Sequence, residues 1–292
     1  MKNKVNIIYI ILIIISFMFV GCNKFYEKKL NLDSSKLRIV VSFNPLREFV
    51  EAIGKDKVDV QVIIPDGTEP HDFEPKAKDL FTINNADMFI YNGLNMESWV
   101  NKVVENVDNK NLPIVEASKG CNYIDNDPHV WLGITTAKVE VLNIKNELIK
   151  IDAKNKEFYE KNCSVFLGKL DSILTSYKPK FQSLNNKNFV TGHAAFAYFC
   201  RDFGLKQNSV EGVFAEGEPT PNKVKELVQY CRKNNVKTIF TEEMVSPKVS
   251  ETLAKELNAE VKTIYTIESK ESGKDYIECM EENIKQVYYS LK

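Results

Sequence analysis

Short apolar runs rich in β-branched residues alternate with helical patterns along the chain from Leu37 onward. The run LRIVVSF at 37–43 predicts a strand, and Asn44 is expected to cap the next helix, with Pro45 at its first position and Gly54 as its stop. Further strands are predicted at 58–64, 87–93 and 112–117, with helices at 76–85 and around 96–107. This order predicts a parallel sheet with helices packed on its faces.

The middle of the chain breaks this alternation. Residues 135–152 predict a helix, and apolar side chains then recur every three or four positions from Phe158 to Tyr177. A helix from Lys154 to Tyr177 would be about 36 Å long, which is enough to run along a whole domain. Pro179 is expected to end or bend this helix.

Strands and helices alternate again in the last third of the chain. Strands are predicted at 188–191, near 209–215, at 236–241 and at 260–266, and helices at 193–203, 221–234, 246–257 and 276–291. The sequence therefore predicts an α/β fold of two similar lobes, each with a mostly parallel sheet, joined by one long rigid helix. The N-terminal lobe is expected at 37–153, the linking helix at 154–185 and the C-terminal lobe at 186–292.

The N-terminus resembles the export signal of bacterial lipoproteins. Lys2 and Lys4 precede a run of uncharged, largely apolar residues at 5–20, and Gly21-Cys22 follows it. We predict a signal peptide at 1–21 and a flexible tether at 22–36, with Cys22 lipidated so that the chain is anchored to the membrane outside the cytoplasm. The alternative is a retained membrane helix, since the apolar run is at the short end of a membrane span.

Charge and cysteine content narrow the class of protein. The chain has 39 basic and 40 acidic residues, so it lacks the excess of positive charge that is typical of nucleic-acid binding. The cysteines beyond Cys22 are odd in number and form no CxxC pair. Most lie in helical patterns, where free cysteine behaves as a small buried hydrophobic residue. We expect no disulfide framework and no metal ligation by cysteine.

The chain has three histidines, and each follows a strand-like run. His71 lies in the proline-rich turn IPDGTEPHDFEP, His129 in DPHVWLG, and His193 after Thr191-Gly192, where it is expected to open a helix whose dipole keeps the imidazole neutral. Ligands of open α/β sheets bind beyond the carboxyl ends of the strands, so all three side chains are expected to face one cleft. Each histidine also has a structural alternative: His71 could be a solvated loop residue, His129 could pack on Trp131, and His193 could be a buried capping residue.

A carboxylate would complete a tetrahedral site. Glu268 follows the last predicted strand and reaches the same edge of the second lobe as His193, although Glu268 and Glu271 could also form a solvated charge run. Three imidazoles and one carboxylate suit Zn²⁺, whereas manganese favours more oxygen ligands. The sequence therefore predicts a zinc site between the lobes, with Mn²⁺ as the less favoured ion.

Seven motifs in order identify a family resemblance that covers nearly all of residues 37–292. They are PDGTEPHDFEP, YNGLNMESW, DPHVWL, FVTGHAAFAYF, GEPTP, IFTEE and GKDYIECMEENI. Together they resemble the metal-binding lipoproteins of bacterial ABC transporters, whose relatives include manganese-binding adhesin-like lipoproteins. The resemblance implies two α/β lobes joined by a rigid helix, and one metal that is held between them and delivered to a membrane permease.

The resemblance also implies a ligand set. His71, His129 and His193 match the family's ligand positions, and histidine at the third position is the zinc pattern, whereas manganese members tend to have glutamate there. Many relatives have an aspartate ligand where this chain has Ile267, but some zinc-binding lipoproteins use a glutamate from this loop, which Glu268 matches; water is the alternative fourth ligand. Glu242 matches a family acid and is expected to support a ligand rather than bind the metal.

Three functions follow from these patterns. The leading prediction is an extracytoplasmic, monomeric zinc receptor that passes Zn²⁺ to an ABC importer permease; a manganese or iron receptor of the same family is the alternative. A zinc hydrolase is less favoured because the chain has no HExxH motif and four protein ligands would close the site. We therefore expect no enzymatic activity. An adhesin-like lipoprotein with incidental metal would bind metal weakly and without selectivity.

Overall fold

The computed structural model describes residues 36–215, 219–242, 247–271 and 273–292. The predicted signal peptide, Cys22 and residues 22–35 of the predicted tether lie outside the described residues, as do Gly217 and Glu218 of the GEPTP motif and Glu243 of IFTEE. Leu37–Lys292 forms one compact unit.

The N-terminal lobe is built on a four-stranded parallel sheet. Its strands are β1 (Leu37–Val41), β2 (Val58–Val62), β3 (Met88–Tyr91) and β4 (Ile114–Glu116), in the order β2-β1-β3-β4. The connecting helices are α1 (Asn44–Gly54), α2 (Ala77–Asn84) and α3 (Val100–Asn106). The central strands β1 and β3 are largely buried, as their continuous apolar runs predict for a sheet covered on both faces.

The start of α1 differs from the sequence prediction. The helix begins at Asn44, so Phe43 occupies the N-cap position and no side chain caps the helix. Pro45 lies in the first turn as predicted, where its missing N–H has no helical partner to lose. The capping role predicted for Asn44 is therefore wrong, because its side-chain amide bonds to a loop of the other lobe instead.

Two long helices follow the first sheet. They are α4 (Ile134–Ile151) and α5 (Lys156–Gln182), and the 27 residues of α5 span about 40 Å. A stripe of buried side chains that includes Tyr159, Phe166 and Leu170 packs α5 onto the core. Pro179 lies inside the helix rather than at its end, and the helix continues to Gln182.

The C-terminal lobe repeats the topology of the first lobe. Its strands are β5 (Asn188–Thr191), β6 (Lys206–Ser209), β7 (Thr238–Thr241) and β8 (Glu260–Thr263), all parallel and in the order β6-β5-β7-β8. The helices are α6 (Ala197–Phe203), α7 (Pro221–Lys233), α8 (Pro247–Leu257) and α9 (Tyr276–Leu291). The predicted fold class, two α/β lobes with parallel sheets and a long helix between them, is confirmed.

One strand prediction in this lobe is wrong. The strand expected near 209–215 lies at Lys206–Ser209, and residues 210–215 form turns beyond it. The amide N–H of Glu211 donates to Gly192 O at 2.8 Å, and that of Ala194 donates to Gly212 O at 3.2 Å. The apolar pattern of Val210, Val213 and Phe214 therefore belongs to a loop that packs beside the His193 segment.

Most of the hydrophobic core is shared by the two lobes. One cluster joins Phe43, Phe49 and Trp131 of the first lobe to Phe199 and Tyr276 of the second. A smaller cluster lies beneath α7 and α8 of the C-terminal lobe. Because the larger cluster crosses the lobe boundary, moving one lobe against the other would expose apolar surface, which opposes a wide hinge motion.

Buried hydrogen bonds reinforce this junction. Trp131 Nε1 donates to Thr266 O at 2.7 Å, and Tyr276 Oη donates to Trp131 O at 2.5 Å. The ring of Trp131 packs edge-on against Phe43 with 4.8 Å between the ring centroids. Trp131 thus bonds through its side chain to the loop before α9 and through its backbone to the first residue of α9.

Among the described residues, none of the helices is both long enough and apolar enough to cross a lipid bilayer.

The Tyr276 hydroxyl offers a direct test of the junction. We expect Tyr276→Phe to lower the free energy of unfolding by about 1–2 kcal/mol, because the buried carbonyl of Trp131 loses its partner. Denaturant unfolding followed by circular dichroism measures the change. Tyr289→Phe is the matched control, since its side chain is 66% exposed and should tolerate the change. Equal stability of the two variants would contradict the role given to this bond.

Candidate metal centre

Four potential ligands from separate loops converge between the lobes. One ligand atom from each of His71, His129, His193 and Glu268 can be chosen so that all four atoms lie within 4.8 Å of one another. His71 follows β2, His193 follows β5 and Glu268 follows β8, while His129 precedes the short 3-10 helix Val130–Leu132. His129, His193 and Glu268 are buried, and His71 is partly exposed.

His129 is held in one orientation by a carboxylate two residues earlier. Asp127 Oδ1 accepts hydrogen bonds from the backbone N–H of His129 at 2.9 Å and from its Nδ1 at 2.8 Å. The proton on Nδ1 leaves the lone pair of Nε2 free and directed at the site. Burial lowers the pKa of His129 to about 3 and raises that of Asp127 to about 7. His129 is therefore a neutral imidazole, as metal binding requires.

His71 approaches His129 from the proline-rich turn. The two Nε2 atoms are 3.3 Å apart. The lone pair of His129 Nε2 faces this contact. Nε2 of His71 therefore either donates a hydrogen bond to that lone pair or binds the same cation. Burial and the neighbouring imidazole lower the pKa of His71 to about 3, while its buried Nδ1 lacks a hydrogen-bond partner. Packing therefore orients this ring, with Phe214 edge-on at 5.2 Å between centroids.

His193 lies in a turn and does not open a helix, because α6 begins four residues later at Ala197. The predicted effect of a helix dipole is therefore wrong. Burial and the proximity of the other two imidazoles, which disfavours a second positive charge, lower the pKa of His193 well below its ordinary value. Both ring nitrogens of His193 are buried without hydrogen-bond partners. In the neutral ring, one nitrogen thus has an N–H that donates to nothing and the other has a lone pair that accepts from nothing.

Glu242 lies behind His193. Its Oε1 accepts a hydrogen bond from the backbone N–H of His193 at 3.2 Å and is 3.7 Å from Nδ1 of the same residue. Burial raises the pKa of Glu242 to about 8. This position suits a carboxylate that orients the imidazole rather than one that reaches the centre of the site.

Glu268 completes the donor set from the loop after β8. Thr266 Oγ1 donates to its Oε2 at 2.9 Å, whereas Oε1 is buried without a hydrogen-bond partner and lies 3.8 Å from His129 Nε2. Burial and the charge of Glu69 raise the pKa of Glu268 well above its ordinary value. One oxygen is thus held by the loop and the other faces the imidazoles.

The unpaired atoms fit a tetrahedral cation. Tetrahedral zinc with bonds of about 2.0–2.1 Å places its ligand atoms about 3.3 Å apart. The nitrogen–nitrogen distance of 3.3 Å between His71 and His129 matches this value, and small side-chain shifts would bring the other donors to it. A cation there would give a partner to one ring nitrogen of His193 and to Oε1 of Glu268, both of which are buried without one.

The supporting roles of three residues were not predicted from the sequence. Asp127 could have been found, because an acid two residues before a histidine can bond to its Nδ1 when the backbone turns. Phe214 and Asn44 carried no such signal, since each acts on a segment distant in the chain: Phe214 packs on His71, and Asn44 bonds to the Glu268 loop.

Comparisons with known proteins agree with this architecture. The high-affinity zinc uptake system protein ZnuA of Bacillus subtilis is 37% identical over 280 residues, which cover 88% of this chain and 88% of that protein. The solved laminin-binding protein Lmb of Streptococcus agalactiae, described as a bifunctional protein with adhesin and metal transporting activity, is 35% identical with a TM-score of 0.82. That match covers 88% of this chain and 100% of the other.

A third similar protein was solved with zinc. The Zn(II)-bound ZnuA-like domain of Streptococcus pneumoniae AdcA is 35% identical, with a TM-score of 0.78 and coverage of 88% of this chain and 99% of that domain. The resemblance to metal-binding lipoproteins of ABC transporters is therefore confirmed. Since the model of the family described as ZnuA, zinc-uptake complex component A periplasmic, matches residues 39–289, the chain belongs to that family.

Proposed function

We propose that this chain captures Zn²⁺ outside the cytoplasm and delivers it to the permease of an ABC importer. The observation that carries the proposal is the convergence of three buried or partly buried imidazoles and one carboxylate within 4.8 Å. Members of this family are extracytoplasmic zinc-uptake proteins that work with an ABC transporter, which supports the same function.

His71, His129, His193 and Glu268 are the proposed ligands. Two come from each lobe, so the ion completes a site that neither lobe could form alone. Asp127 and Glu242 would orient His129 and His193 through their other ring nitrogens. Zn²⁺ is the cargo here and performs no reaction.

The donor set favours zinc over manganese, the alternative ion. Manganese prefers carboxylate, carbonyl and water oxygens, whereas three imidazole nitrogens and one carboxylate oxygen suit zinc. The same set argues against a hydrolase, because a catalytic zinc keeps one position open for water.

The acidic mouth of the cleft would assist capture. Three acids, Glu69, Asp72 and Glu211, lie near one another: burial, together with the charges of Asp72 and Glu211, raises the pKa of Glu69. Negative charge around a narrow entrance raises the local concentration of cations and speeds their association. These acids would therefore act mainly on the rate of zinc association.

We further propose that the mature protein is a monomer anchored by lipid on Cys22. Gly21-Cys22 after an apolar run of residues 5–20 supports processing at this cysteine. Two or more acyl chains hold a protein stably on a bilayer, and residues 22–36 would tether the zinc-binding domain beside its permease.

Removing His71 tests the ligand set. We expect His71→Ala to weaken zinc binding by about 100-fold or more, since loss of a residue that merely supports a ligand already costs about 10–100-fold. Competition with a chelating dye measures the affinity, and metal analysis gives the stoichiometry. Asp59→Ala is the control, because this exposed residue of β2 lies outside both the proposed ligand set and the acidic mouth of the cleft. Unchanged affinity in the His71 variant would rule it out as a ligand.

Glu268 is tested in the same way. Glu268→Ala is expected to weaken zinc binding by about 10–100-fold, because water would replace a charged ligand. Glu260→Ala is the matched control at the opposite end of β8, where the side chain is exposed. Equal zinc affinity of the two variants would exclude Glu268 as the fourth ligand. Ester hydrolysis by the protein without any substitution would favour the hydrolase alternative.

Cys22→Ser tests the anchor. We expect the variant protein to leave the membrane fraction, because serine cannot carry the thioether-linked lipid, while the zinc affinity of the released protein stays unchanged. Fractionation with immunoblotting measures the distribution. Full retention of the variant in the membrane would instead support an uncleaved N-terminal helix.

A further inference from the structure

Glu268 follows a residue in a strained backbone conformation. Ile267 has a φ of 63°, in the left-handed region that β-branched residues rarely adopt because the side chain crowds the backbone. Its side chain is 1% exposed and belongs to the core shared by the lobes, so burial holds the residue in place. Such conformations persist only where surrounding contacts enforce them, and they concentrate at functional sites.

Asn44 is the contact that spans this segment. Its Nδ2 donates to Ile267 O and to Ser269 O, each at 2.9 Å. These carbonyls lie on either side of Glu268, so both hydrogens of one amide hold the backbone that carries the proposed ligand. Asn44 is 1% exposed, which makes loss of these bonds costly since water does not replace them readily.

Arg47 determines which way the Asn44 amide faces. Arg47 Nη2 donates to Asn44 Oδ1, and a guanidinium can only donate. The amide oxygen therefore faces Arg47, and the amide nitrogen faces the two carbonyls. Asn44 and Arg47 are separated by less than one turn of α1, so one rigid helix of the N-terminal lobe presents the whole arrangement.

The loop that carries His71 bonds to the same segment. Gly67 N donates to Ser269 Oγ at 2.8 Å, and Lys270 N donates to Asp66 Oδ1 at 2.8 Å. These bonds lie beyond Glu268, whereas Asn44 spans it. Asn44 thus bonds to the backbone on both sides of Glu268.

We propose that Asn44 is a positioning residue for zinc binding: it holds the strained backbone at Ile267 so that the Glu268 carboxylate meets the three imidazoles. This inference rests on the proposed function, because it requires Glu268 to be a ligand. When the two bonds are lost, Ile267 relaxes toward an ordinary conformation and the carboxylate turns away from the site. Asn44 touches no metal and acts only through Glu268.

Two substitutions test the role of Asn44. Asn44→Ala removes both hydrogen bonds, and Asn44→Asp keeps the shape and the acceptor for Arg47 but replaces the donor by an oxygen that faces two carbonyls. We expect each variant to bind zinc about tenfold more weakly, within the range seen when support for a ligand is lost. Chelator competition measures the affinity, and thermal unfolding of the metal-free protein reports whether the variants fold.

Asn143→Ala is the matched control. Asn143 Nδ2 also donates to two backbone carbonyls, those of Ala117 at 2.9 Å and Lys119 at 2.8 Å. These two bonds join α4 to the loop after β4 and not to the Glu268 segment. Their loss is expected to lower stability without weakening zinc binding. An equal loss of affinity in the Asn143 and Asn44 variants would show a general effect of destabilisation and overturn the proposal.

A double-mutant cycle shows whether Asn44 acts through Glu268. In a Glu268→Ala background, Asn44→Ala is expected to cause no further loss of zinc affinity, because the ligand that it positions is gone. Cobalt(II) supplies a second readout, since its visible absorption depends on the ligand set. The Asn44→Ala spectrum should shift toward that of Glu268→Ala.

The outcomes separate this proposal from the proposed function. If Glu268→Ala weakens zinc binding but Asn44→Ala and Asn44→Asp do not, the ligand assignment stands and the positioning role is wrong. The same conclusion follows if Glu268→Ala weakens zinc binding and Asn44→Ala lowers zinc affinity by the same factor with and without Glu268→Ala. If Glu268→Ala leaves zinc affinity unchanged, the ligand assignment fails and the role of Asn44 fails with it.

Discussion

The apolar core that crosses the lobe boundary is the constraint on which the site depends. Ligand atoms from two lobes must stay within a few ångströms of one another, and a shift of the lobes would separate them. The packing of Phe43 on Trp131, together with the buried bonds of Trp131 to Thr266 and Tyr276, resists that shift. Under the proposed ligand set, zinc would therefore meet side chains that are already assembled, which reduces the ordering cost of binding.

Burial also prepares the four proposed ligands chemically. Removal of His71, His129 and His193 from water disfavours their charged forms, so their pKa values fall and the imidazoles stay neutral. The same burial raises the pKa of Glu268, whose unpaired oxygen gains a strong partner when a cation enters. His193 and Glu268 thus present buried polar atoms that lack hydrogen-bond partners, and zinc at the proposed site would give each residue a partner while releasing protons.

Several local predictions failed where a distant segment competed with a local pattern. Asn44 before Pro45 is a typical helix cap, but its amide finds two carbonyls of the C-terminal lobe instead. The apolar run at 209–215 looks like a strand, yet the parallel partner of β5 ends at Ser209 and the rest turns toward the site. Likewise His193 precedes a helical pattern but lies in a turn that bonds to the 210–215 loop.

The α/β class, the alternation of strands and helices, and the residue types that zinc prefers can all be predicted from the sequence, because periodicity and side-chain chemistry are local properties. The sequence also predicted the ligand candidates: His71, His193 and Glu268 follow strands that end at one edge of a parallel sheet, whereas His129 precedes a short 3-10 helix. The contacts that hold those candidates form only when the chain folds: the Asp127 bond to His129, the packing of Phe214 on His71, and the two Asn44 hydrogen bonds beside the strained Ile267. The Phe214 and Asn44 contacts join residues far apart in the chain, and the Asp127 bond needs a backbone turn that spacing alone does not specify.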